Sequence, residues 1–520
     1  MQRLHTPQEA ARWLHQRVNG RLCTDSRQVR SGDAFLAWPG AKHDGRRYVP
    51  EVLARGASAC LVEEGAWAGS EAFAASAHEQ HVACYANLKA ASGPIAAAYH
   101  EHPSHALDVL AVTGTNGKTS TAWWLAQALT RLGQRCAVAG TLGVGEVEQD
   151  VQGRAAVTGL DTGLTTPDAV LWQSCLREWA DRGVRACAVE ASSIGLAEHR
   201  LDGTRVRVAV FTNFTQDHLD YHRDMAAYWA AKRALFDWQG LAAAVVNVDD
   251  PQGRTLVQQL QASTSGESGA VDLWTCSAQG PARLQARDVQ QHGNLMTDGH
   301  DAVTGLSFDV VEGAQIEHVQ TAMVGLYNVN NLLGVIATLR ALGYSLDRAV
   351  RVCADLWPVP GRLQVVSAPQ EPMVVVDYAH TPDALSQVLQ ALRPLAAARQ
   401  GALVCVVGCG GDRDAGKRAL MARVAEQHAD RLVFTSDNPR SESAQSIVDA
   451  MLVGLTQPQR AVIEIDRARA ITQAVSQARP HDVVLIAGKG HESYQEIAGV
   501  RHPFSDEGQA RSALLQWRAA

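Results

Sequence analysis

Short apolar runs alternate with longer segments of helical periodicity from about residue 107 onward, and this alternation constrains the fold most strongly. The runs are rich in Val, Ala and Ile with little polar–apolar alternation, as is typical of strands buried on both faces of a parallel sheet. Helical segments such as TSTAWWLAQALTRLG and DALSQVLQALRPLAA separate them. The pattern predicts α/β domains. The predicted strands lie at 107–114, 185–193, 206–214, 242–250, 373–380, 402–411, 431–440 and 482–492.

The length of 520 residues and two breaks in the pattern predict three domains. The segment EHPSHALD leads into the first of these strands near residue 106, and WPVPGR breaks a helical region near residue 358. We therefore predict domains at 1–106, 107–358 and 359–520. Short alternating segments with Gly and Ser turns predict an antiparallel or irregular excursion at 263–325, with a surface loop at 262–270.

The bulk composition excludes several classes of protein. Hydrophobic residues make up 46% and charged residues 19%, which favours a large core. A net charge of −7 gives no reason to expect nucleic acid or an anionic membrane as a partner. The N-terminal stretch is amphipathic rather than a signal peptide, and no apolar run approaches about 18 residues. Ten cysteines without a C-x-x-C pair favour reduced thiols, so we expect a cytoplasmic protein.

The stretch AVTGTNGKTS at 111–120 resembles a phosphate-binding loop, although Val112 occupies the position of the first glycine in G-x-x-x-x-G-K-[ST]. A strand is predicted to end before the loop and a helix to open after it, at about Thr119. The loop glycines allow backbone N–H groups to turn toward a phosphate, and the helix N-terminus favours an anion. Lys118 would reach the β- and γ-phosphates, and the Thr119 hydroxyl would bind Mg²⁺.

Polar side chains follow the next predicted strands, where ligands of open α/β sheets bind. Glu190 is a candidate Mg²⁺ ligand, or alternatively a helix cap. Arg200 suits an anionic substrate. His218 is a candidate metal ligand, although a lone histidine is more often structural. Composition alone would not single out Lys232, which lies in a helical segment.

Two later strands end in GCGGDRD and DNPR. Arg413 and Arg440 would each hold a carboxylate in a bidentate pair. Asp437, Asn438 and Glu492 would hold an ammonium group. Together these residues suit a zwitterionic amino acid, and the alternative is a set of turn residues and surface ion pairs.

Over nearly its whole length the chain resembles the Mur ligases, and within them the branch that adds the third amino acid of the peptidoglycan stem peptide. The resemblance is carried, in order, by GTNGKTS, TTPD, EASSIGLAEHR, TNFTQDHLDYH, GLYNVNN, PGR, DYAHTPDAL, GCGGDRD, DNPR and AGKGHE. In this family the phosphate loop lacks the first glycine. The resemblance implies a UDP-binding N-terminal domain, a central P-loop ATPase domain with a mostly parallel sheet, and a C-terminal Rossmann-like domain that brings the amino acid.

The resemblance also implies the chemistry. ATP and Mg²⁺ would activate UDP-N-acetylmuramoyl-L-alanyl-D-glutamate as an acyl phosphate, and meso-2,6-diaminopimelate would then be joined to it. The tetrapeptide DNPR resembles the diaminopimelate signature, whereas lysine-adding relatives carry a different one. Lys232 matches a lysine that the family carbamylates with CO₂ to bind a second Mg²⁺ together with His218. We expect a monomer whose partners are small molecules.

The resemblance assigns residues to each ligand. For ATP they are Gly114, Thr115, Asn116, Gly117, Lys118, Thr119, Ser120 and Asn328. For the UDP-linked dipeptide they are Thr24, Ser26, Ala41, Lys42, His43, Thr165, Thr166, Ser192, Glu198 and Arg200. For diaminopimelate they are Arg413, Asp437, Asn438, Pro439, Arg440, Gly488 and Glu492. For catalysis they are Lys118, Glu190, His218 and Lys232, and for metal they are Thr119, Glu190, His218 and carbamylated Lys232.

Two positions depart from the family pattern: Ile194 replaces a histidine, and Glu198 replaces a glutamine. An acidic Glu198 beside an anionic substrate is unexpected, so its charge would be offset by Arg200, or its contact with the substrate would be altered.

Other functions were weighed against this one. DNPR disfavours a lysine-adding ligase, and the uridine-type segments TDSR and GRRY disfavour a folylpolyglutamate synthetase. A nucleic-acid-dependent P-loop ATPase would need a basic face, which the net charge disfavours. A non-catalytic homologue is disfavoured by the complete set of Gly117, Lys118, Thr119, Glu190 and Lys232.

Overall fold

A computed structural model describes residues 1–40, 43–65, 79–149, 155–263, 271–292, 305–368 and 370–519. The predicted site residues Ala41 and Lys42, and most of the loop predicted at 262–270, lie outside these ranges. The described residues form an α/β fold around three main sheets. Single-turn 3₁₀ helices occupy Gly45–Tyr48, Glu79–His81, Pro103–His105, Ala234–Asp237 and Pro458–Arg460.

The first sheet is parallel throughout its described strands, in the order β1-β5-β4-β3-β2. Its strands are β1 (Gln2–Leu4), β2 (Leu22–Cys23), β3 (Ala34–Ala37), β4 (Ala59–Glu63) and β5 (Val82–Tyr85). Its helices are α1 (Pro7–His15), α2 (Val49–Ala54) and α3 (Leu88–Tyr99).

The middle sheet has eleven described strands in the order β16-β15-β14-β13-β12-β11-β6-β10-β7-β8-β9. They are β6 (Asp108–Thr113), β7 (Cys136–Gly140), β8 (Gly143–Gln149), β9 (Ala155–Leu160), β10 (Ala186–Glu190), β11 (Val208–Phe211), β12 (Ala243–Asn247), β13 (Asp272–Ser277), β14 (Leu284–His292), β15 (Gly305–Glu312) and β16 (Gln315–Thr321). The helices are α4 (Lys118–Arg131), α5 (Ala169–Asp181), α6 (Ser193–Ala197), α7 (Leu219–His222), α8 (Met225–Arg233), α9 (Pro251–Ser263), α10 (Tyr327–Ala341) and α11 (Leu346–Ala354).

The third sheet has the order β17-β18-β22-β19-β20-β21, and it is parallel except for β17. Its strands are β17 (Gln364–Val365), β18 (Met373–Asp377), β19 (Leu403–Val407), β20 (Arg431–Phe434), β21 (Ala461–Ile463) and β22 (Val483–Ala487). A hairpin of β23 (Tyr494–Ile497) and β24 (Val500–Pro503) follows. The helices are α12 (Pro382–Ala398), α13 (Gly416–His428), α14 (Ala444–Leu452), α15 (Arg467–Ser476) and α16 (Asp506–Ala519).

Strand β6 shows why the centre of the middle sheet is parallel and buried, whereas β7–β8–β9 and β14–β15–β16 pair antiparallel at its two edges. Its alternate residues Leu110 and Val112 pack toward α4 and α10, whereas Val109 and Ala111 pack toward α5 and α9. A strand with apolar side chains on both faces has to be covered on both sides, and parallel connections supply helices to both faces. The layers place the turn after β6 at the carboxyl edge of the sheet.

The predicted fold class is confirmed, and each of the eight predicted strands contains a strand of the structure. The excursion predicted at 263–325 is wrong in one respect. β14, β15 and β16 are antiparallel neighbours, but β13 extends the parallel sheet by pairing with β12. Short alternating segments fit either pairing direction, and Trp274 and Cys276 of β13 join the core cluster that contains Val245 of β12.

All ten cysteines are free thiols, and Cys405 and Cys409 are buried. Within the described ranges, no helix has both the length and the apolar character that crossing a membrane requires.

Candidate active site

The turn between β6 and α4, which we call the phosphate loop (residues 114–120), explains the missing first glycine. Val112 lies inside β6 and is fully buried, so the turn begins two residues later at Gly114. Gly114 and Gly117 have φ angles of 149° and 82°. A Cβ on Gly117 would lie 2.4 Å from Asn331 Oδ1 of α10. Glycine is therefore required where the loop turns, and α4 begins at Lys118, one residue before the predicted start.

Two lysines converge on a single carbonyl of this loop. Lys118 Nζ donates to Gly114 O at 2.9 Å and to Thr115 O at 2.8 Å. Lys232 Nζ, only 1% exposed on α8, donates to the same Gly114 O at 2.7 Å. Burial lowers the pKa of both lysines, and for Lys232 the charge of Lys118 lowers the pKa further. The site therefore holds two buried amino groups whose protonated forms an anion would favour.

Glu190 ends β10 with its carboxylate against the start of α4. Its Oε2 accepts from Thr119 Oγ1 at 3.0 Å, and its Oε1 accepts from the Thr141 backbone N–H at 2.7 Å. A Cβ on Gly140 would lie 2.1 Å from Oε1, so the carboxylate fits only because Gly140 has no side chain. The predicted metal ligands Thr119 and Glu190 are thus brought together as neighbouring oxygen atoms.

Several residues predicted for the UDP-linked substrate lie close together near the end of β10. We call them the polar strip: Thr165, Thr166, Ser192, Glu198 and Arg200. Thr166 Oγ1 lies 2.7 Å from Glu190 O and 2.8 Å from Ser192 Oγ. Ser192 caps α6 by accepting from Gly195 N at 3.0 Å. Arg200 Nη1 donates to Thr166 O at 3.0 Å. Thr165 joins the strip from the other side, since Thr141 Oγ1 lies 3.4 Å from its hydroxyl.

Glu198 follows α6 and is occupied by partners that the sequence did not indicate. Lys89 of α3 forms an ion pair with its Oε2, and the Tyr221 hydroxyl donates to its Oε1. Burial raises the pKa of Glu198, but the hydrogen bonds from Lys89 and Tyr221 outweigh it and hold the pKa below its ordinary value. The charge of Arg200 also lowers this pKa, but Lys89 and Tyr221 are the partners in direct contact with the carboxylate.

The remaining residues predicted for this substrate lie in the first sheet region. Thr24 Oγ1 reaches Asp168 Oδ1, the N-cap of α5, at 3.4 Å. Ser26 is half-buried, and its carbonyl accepts from Arg55 Nη2 at 2.7 Å. His43 is exposed. Thr24 is thus brought to the border with the middle sheet, whereas Ser26 and His43 are held within the first.

His218 is the N-cap residue of α7 and has a φ angle of 53°. Its Nε2 lies 3.5 Å from Asp217 Oδ2. The ring packs edge-on to Tyr228, whose own ring lies 4.5 Å from Lys232 Nζ. In the described ranges no group of three or more His, Cys, Asp or Glu side chains is arranged to hold a metal ion.

Residues 437–440 and 488–492, which we call the amino-acid loops, follow β20 and β22. Gly488, with φ 120°, passes so close to Asp437 that a Cβ would lie 2.4 Å from Oδ2. Asn438 Nδ2 donates to Glu492 Oε2 at 2.7 Å, which ties one loop to the other. Arg440 Nη1 donates to Gly411 O at 2.7 Å, Pro439 is buried, and Arg413 is exposed. Most residues predicted for the amino acid are therefore brought together.

Sequence reasoning missed several residues that complete these sites. Lys489 is 0% exposed and donates to Glu492 Oε2 at 2.7 Å. Arg362 Nη2 lies 3.3 Å from Thr119 Oγ1, and Asp383 Oδ2 accepts from Asn116 Nδ2 at 3.2 Å. Thr141 binds Glu190, as described above. Lys489, Arg362 and Asp383 lie within motifs that carry the resemblance, whereas Thr141 lies outside them. No spacing rule indicates that these side chains reach another segment.

A cavity of about 270 Å³ opens beside the phosphate loop. Ser120 and Asn328 contribute to its wall from α4 and α10, and Arg362 and Leu363 contribute from the segment before β17. Asn328 is held by its own amide, which donates to Val324 O at 2.7 Å. The cavity lies where the middle and third sheet regions meet.

Three family models match the chain in sequence order. The Mur ligase family catalytic domain matches residues 21–99, the Mur ligase middle domain 112–339, and the Mur ligase glutamate ligase domain 361–490. The UDP-N-acetylmuramoyl-L-alanyl-D-glutamate–2,6-diaminopimelate ligase of Acidovorax sp. (strain JS42) is 56% identical, over 99% of this chain and 98% of that protein. This chain is a Mur ligase.

Other relatives agree. The enzyme of the same name from Janthinobacterium sp. (strain Marseille) is 46% identical over 95% of this Mur ligase and 94% of that protein. A solved structure of a UDP-N-acetylmuramoyl-L-alanyl-D-glutamate–2,6-diaminopimelate ligase superposes with a TM-score of 0.64, at 33% identity, over 96% of this chain and 95% of that one. The MurF ligase of Thermotoga maritima in complex with ADP shares the fold, with a TM-score of 0.61 at 17% identity over 96% of each chain.

Membership of the Mur ligases confirms the predicted family, the three-domain α/β fold and the class of enzyme. This Mur ligase is an ATP-dependent carbon–nitrogen ligase.

Proposed function

We propose that this Mur ligase adds meso-2,6-diaminopimelate to the D-glutamate γ-carboxylate of UDP-N-acetylmuramoyl-L-alanyl-D-glutamate, with ATP converted to ADP and phosphate, in peptidoglycan precursor synthesis. The observation that carries the proposal is the pair of amino-acid loops, where the side chains of Asn438 and Glu492 are linked and Arg440, two residues after Asn438, lies 4.0 Å from the Glu496 carboxylate. Diaminopimelate has a second carboxylate and ammonium at its far end, which a guanidinium and a carboxylate match. The relative that is 56% identical bears the corresponding name.

ATP would bind at the phosphate loop, with Lys118 and the backbone N–H groups at the start of α4 facing its phosphates. The cavity lined by Ser120 and Asn328 would receive the rest of the nucleotide. The neighbouring oxygen atoms of Thr119 and Glu190, 3.0 Å apart, fit Mg²⁺, which takes few protein oxygens and completes its shell with phosphate and water. When bound, Mg²⁺ would neutralise charge on the phosphates.

Lys232 fits the proposed carbamate. Only a neutral amine reacts with CO₂, and burial of Lys232 lowers its pKa and so favours the neutral amine. The carbamate would supply a carboxylate near His218 for a second Mg²⁺. It would also turn one of the two amino groups at Gly114 O into an anionic group.

The reaction would proceed in two steps. The D-glutamate γ-carboxylate attacks the γ-phosphorus of ATP, and the bond to ADP breaks. Lys118 stabilises the charge on the transferred group, while Arg200, Ser192, Thr165 and Thr166 hold the substrate. The neutral amino group of diaminopimelate then attacks the acyl carbon, phosphate leaves, and the amine loses a proton.

Both steps require the third sheet region to meet the phosphate loop. Arg362 reaches Thr119, and Asp383 reaches Asn116 and also Thr215 Oγ1, at 3.3 Å. These contacts support catalysis by positioning across the two regions. Thr24, Ser26 and His43, with Ala41 and Lys42 between them in the chain, would bind the uridine end.

The wider predictions belong to the same proposal. We place the domains at 1–106, 107–358 and 359–520, which the separate sheets and the matched family ranges support. We also propose a cytoplasmic monomer that acts on small molecules rather than on nucleic acid or membranes.

The test is phosphate release from ATP with UDP-N-acetylmuramoyl-L-alanyl-D-glutamate, Mg²⁺ and bicarbonate. Parallel reactions receive meso-diaminopimelate or L-lysine, and the peptide product is identified by mass. We expect turnover with diaminopimelate and little with lysine. Turnover with lysine alone would retain the ligase chemistry and overturn the amino-acid assignment, and no turnover with either would overturn the acceptor.

A further inference from the structure

Lys489 is a fully buried lysine between the two amino-acid loops. It is 0% exposed, and its Nζ donates to Asn438 Oδ1 at 2.9 Å and to Glu492 Oε2 at 2.7 Å. The third side of the ammonium faces the Tyr494 ring, whose centroid lies 5.6 Å away. A buried lysine is unfavourable unless its charge is compensated, so these partners account for its presence.

Lys489 determines how the Asn438 amide is oriented. A lysine ammonium only donates hydrogen bonds, so the atom of Asn438 that faces it has to be the acceptor Oδ1. The Glu496 backbone N–H, also a donor, contacts the same Oδ1 at 2.9 Å. The amide nitrogen is thereby turned toward Glu492, an acceptor.

Lys489 also makes the two carboxylate oxygens of Glu492 differ in their hydrogen-bond partners. Both Asn438 Nδ2 and Lys489 Nζ bind Oε2. Among the described residues no hydrogen bond from a side chain reaches Oε1. One oxygen anchors the side chain, and the other remains available to a ligand.

We propose that Lys489 is a positioning residue for the amino-acid substrate: it fixes Asn438 and Glu492 so that Glu492 Oε1 meets a substrate ammonium group. This inference rests on the proposed function, because it assumes that the amino-acid loops bind the diamino acid. Lys489 does not touch that substrate. Its contribution is to orient two side chains before the substrate arrives, which lowers the KM for the amino acid.

The test compares Lys489→Met with the wild-type enzyme in steady-state kinetics for each substrate. Methionine fills a similar volume but neither donates nor carries charge. We expect the KM for diaminopimelate to rise about 10- to 100-fold, because two oriented contacts are lost. We expect the KM values for ATP and for the UDP-linked dipeptide to change less than about twofold, since the phosphate loop is untouched.

Asp482→Asn is the matched control. Asp482 precedes β22, at the opposite end of the strand from Lys489, and its carboxylate is buried and accepts from Ala402 N and Arg479 N. It should lower the melting temperature without changing the KM for diaminopimelate. If Lys489→Met behaves in the same way, Lys489 is only structural and the inference is overturned.

Two further comparisons complete the test. Should Lys489→Met fail to fold, Lys489→Arg and Lys489→Gln are compared. We expect arginine, a donating cation, to retain a lower KM than glutamine, and KM values equal to the wild type in both would overturn the inference. A wild-type enzyme that used L-lysine instead would overturn the proposed function alone, and the same KM comparison would then be made with L-lysine.

Discussion

The phosphate loop and the amino-acid loops both follow the carboxyl ends of parallel strands, but their charges are arranged differently. In the phosphate loop, Lys118 and Lys232 share one carbonyl oxygen, and burial lowers the pKa of both. In the amino-acid loops, the buried ammonium of Lys489 is paired with the carboxylate of Glu492. The first site gathers buried amino groups that an anionic ligand would help to protonate, whereas in the second Lys489 already has its carboxylate partner.

This difference matches the proposed ligands. A polyphosphate brings several negative charges, so a site with unpaired cations gains most when it binds. A diamino dicarboxylic acid is neutral overall, so its site needs positioned charges of both signs. Lys489 and Arg440 supply positive charge, and Glu492 and Glu496 supply negative charge, in or beside the amino-acid loops.

The comparison predicts that changes to side chains that contact the phosphate loop remove activity, and Lys232→Ala is expected to have the largest effect. Loss of the proposed carbamate should lower kcat by about 1000-fold, the upper range for removing one stabilising group at developing charge. Phosphate release measures the loss. Added acetate or formate should restore part of the activity, because a small carboxylate can occupy the space left by the side chain. An active variant, or one that acetate does not rescue, would contradict the carbamate.

The same lysine provides a test of stability. Lys232→Met should raise the free energy of unfolding by about 1–3 kcal/mol, because a methionine avoids burying an amine without a counter-charge. Since the native pKa is lowered, the unfolded chain binds more protons than the native one between the two pKa values. The wild type therefore loses stability as the pH falls through that window, and the advantage of the variant should grow. Urea unfolding in CO₂-free buffer at several pH values measures it, and a constant difference would refute the buried neutral amine.

Gly140→Ala is expected to have the next largest effect. Its new Cβ would lie 2.1 Å from Glu190 Oε1, so the carboxylate has to move away from Thr119. We expect kcat to fall about 100-fold and the Mg²⁺ concentration for half-maximal rate to rise. Gly280→Ala is the control, because no atom lies within 4 Å of a Cβ built there. If the Mg²⁺ dependence of the rate were unchanged in Gly140→Ala, Glu190 would not be a ligand of the metal.

How far the sequence allows prediction differs between the two sites. The phosphate loop was predictable because strand, glycines, lysine and threonine occur within ten consecutive residues, and their spacing has a direct geometric cause. Lys489 was not predictable, because a lysine between two glycines is typical of an exposed turn. Its burial arises from contact with residues about fifty positions earlier, at Asn438. The same limit applies to β13, where short alternating segments do not distinguish parallel from antiparallel pairing.

Arg440→Met tests the balanced site. Removal of one guanidinium should raise the KM for diaminopimelate about 10- to 30-fold, the cost of one charge-assisted hydrogen bond, while kcat changes little. The exposed Arg423→Met on α13 is the control for loss of a positive charge from the same region. Competition by L-lysine tests whether Arg440 binds the far carboxylate of diaminopimelate. Lysine lacks that carboxylate, so the inhibition constant of lysine should be the same in Arg440→Met and in the wild type. If Arg440→Met weakened the binding of both amino acids equally, Arg440 would not be the residue that holds the far carboxylate.

The smallest expected effect concerns Glu198, where the family pattern has a glutamine. Its ion pair with Lys89 is partly exposed, with 40% and 27% of the two side chains accessible, so the pair should contribute only about 0.5 kcal/mol. A double-mutant cycle of Lys89→Met and Glu198→Gln in urea unfolding measures this coupling. Because the two residues balance each other, Glu198→Gln alone leaves Lys89 unpaired near an anionic substrate. The KM for the UDP-linked dipeptide should then fall about two- to threefold at low ionic strength and return toward the wild-type value in salt. A higher KM would mean that Glu198 itself holds the substrate, and the charge balance seen in the amino-acid loops would not extend to this strip.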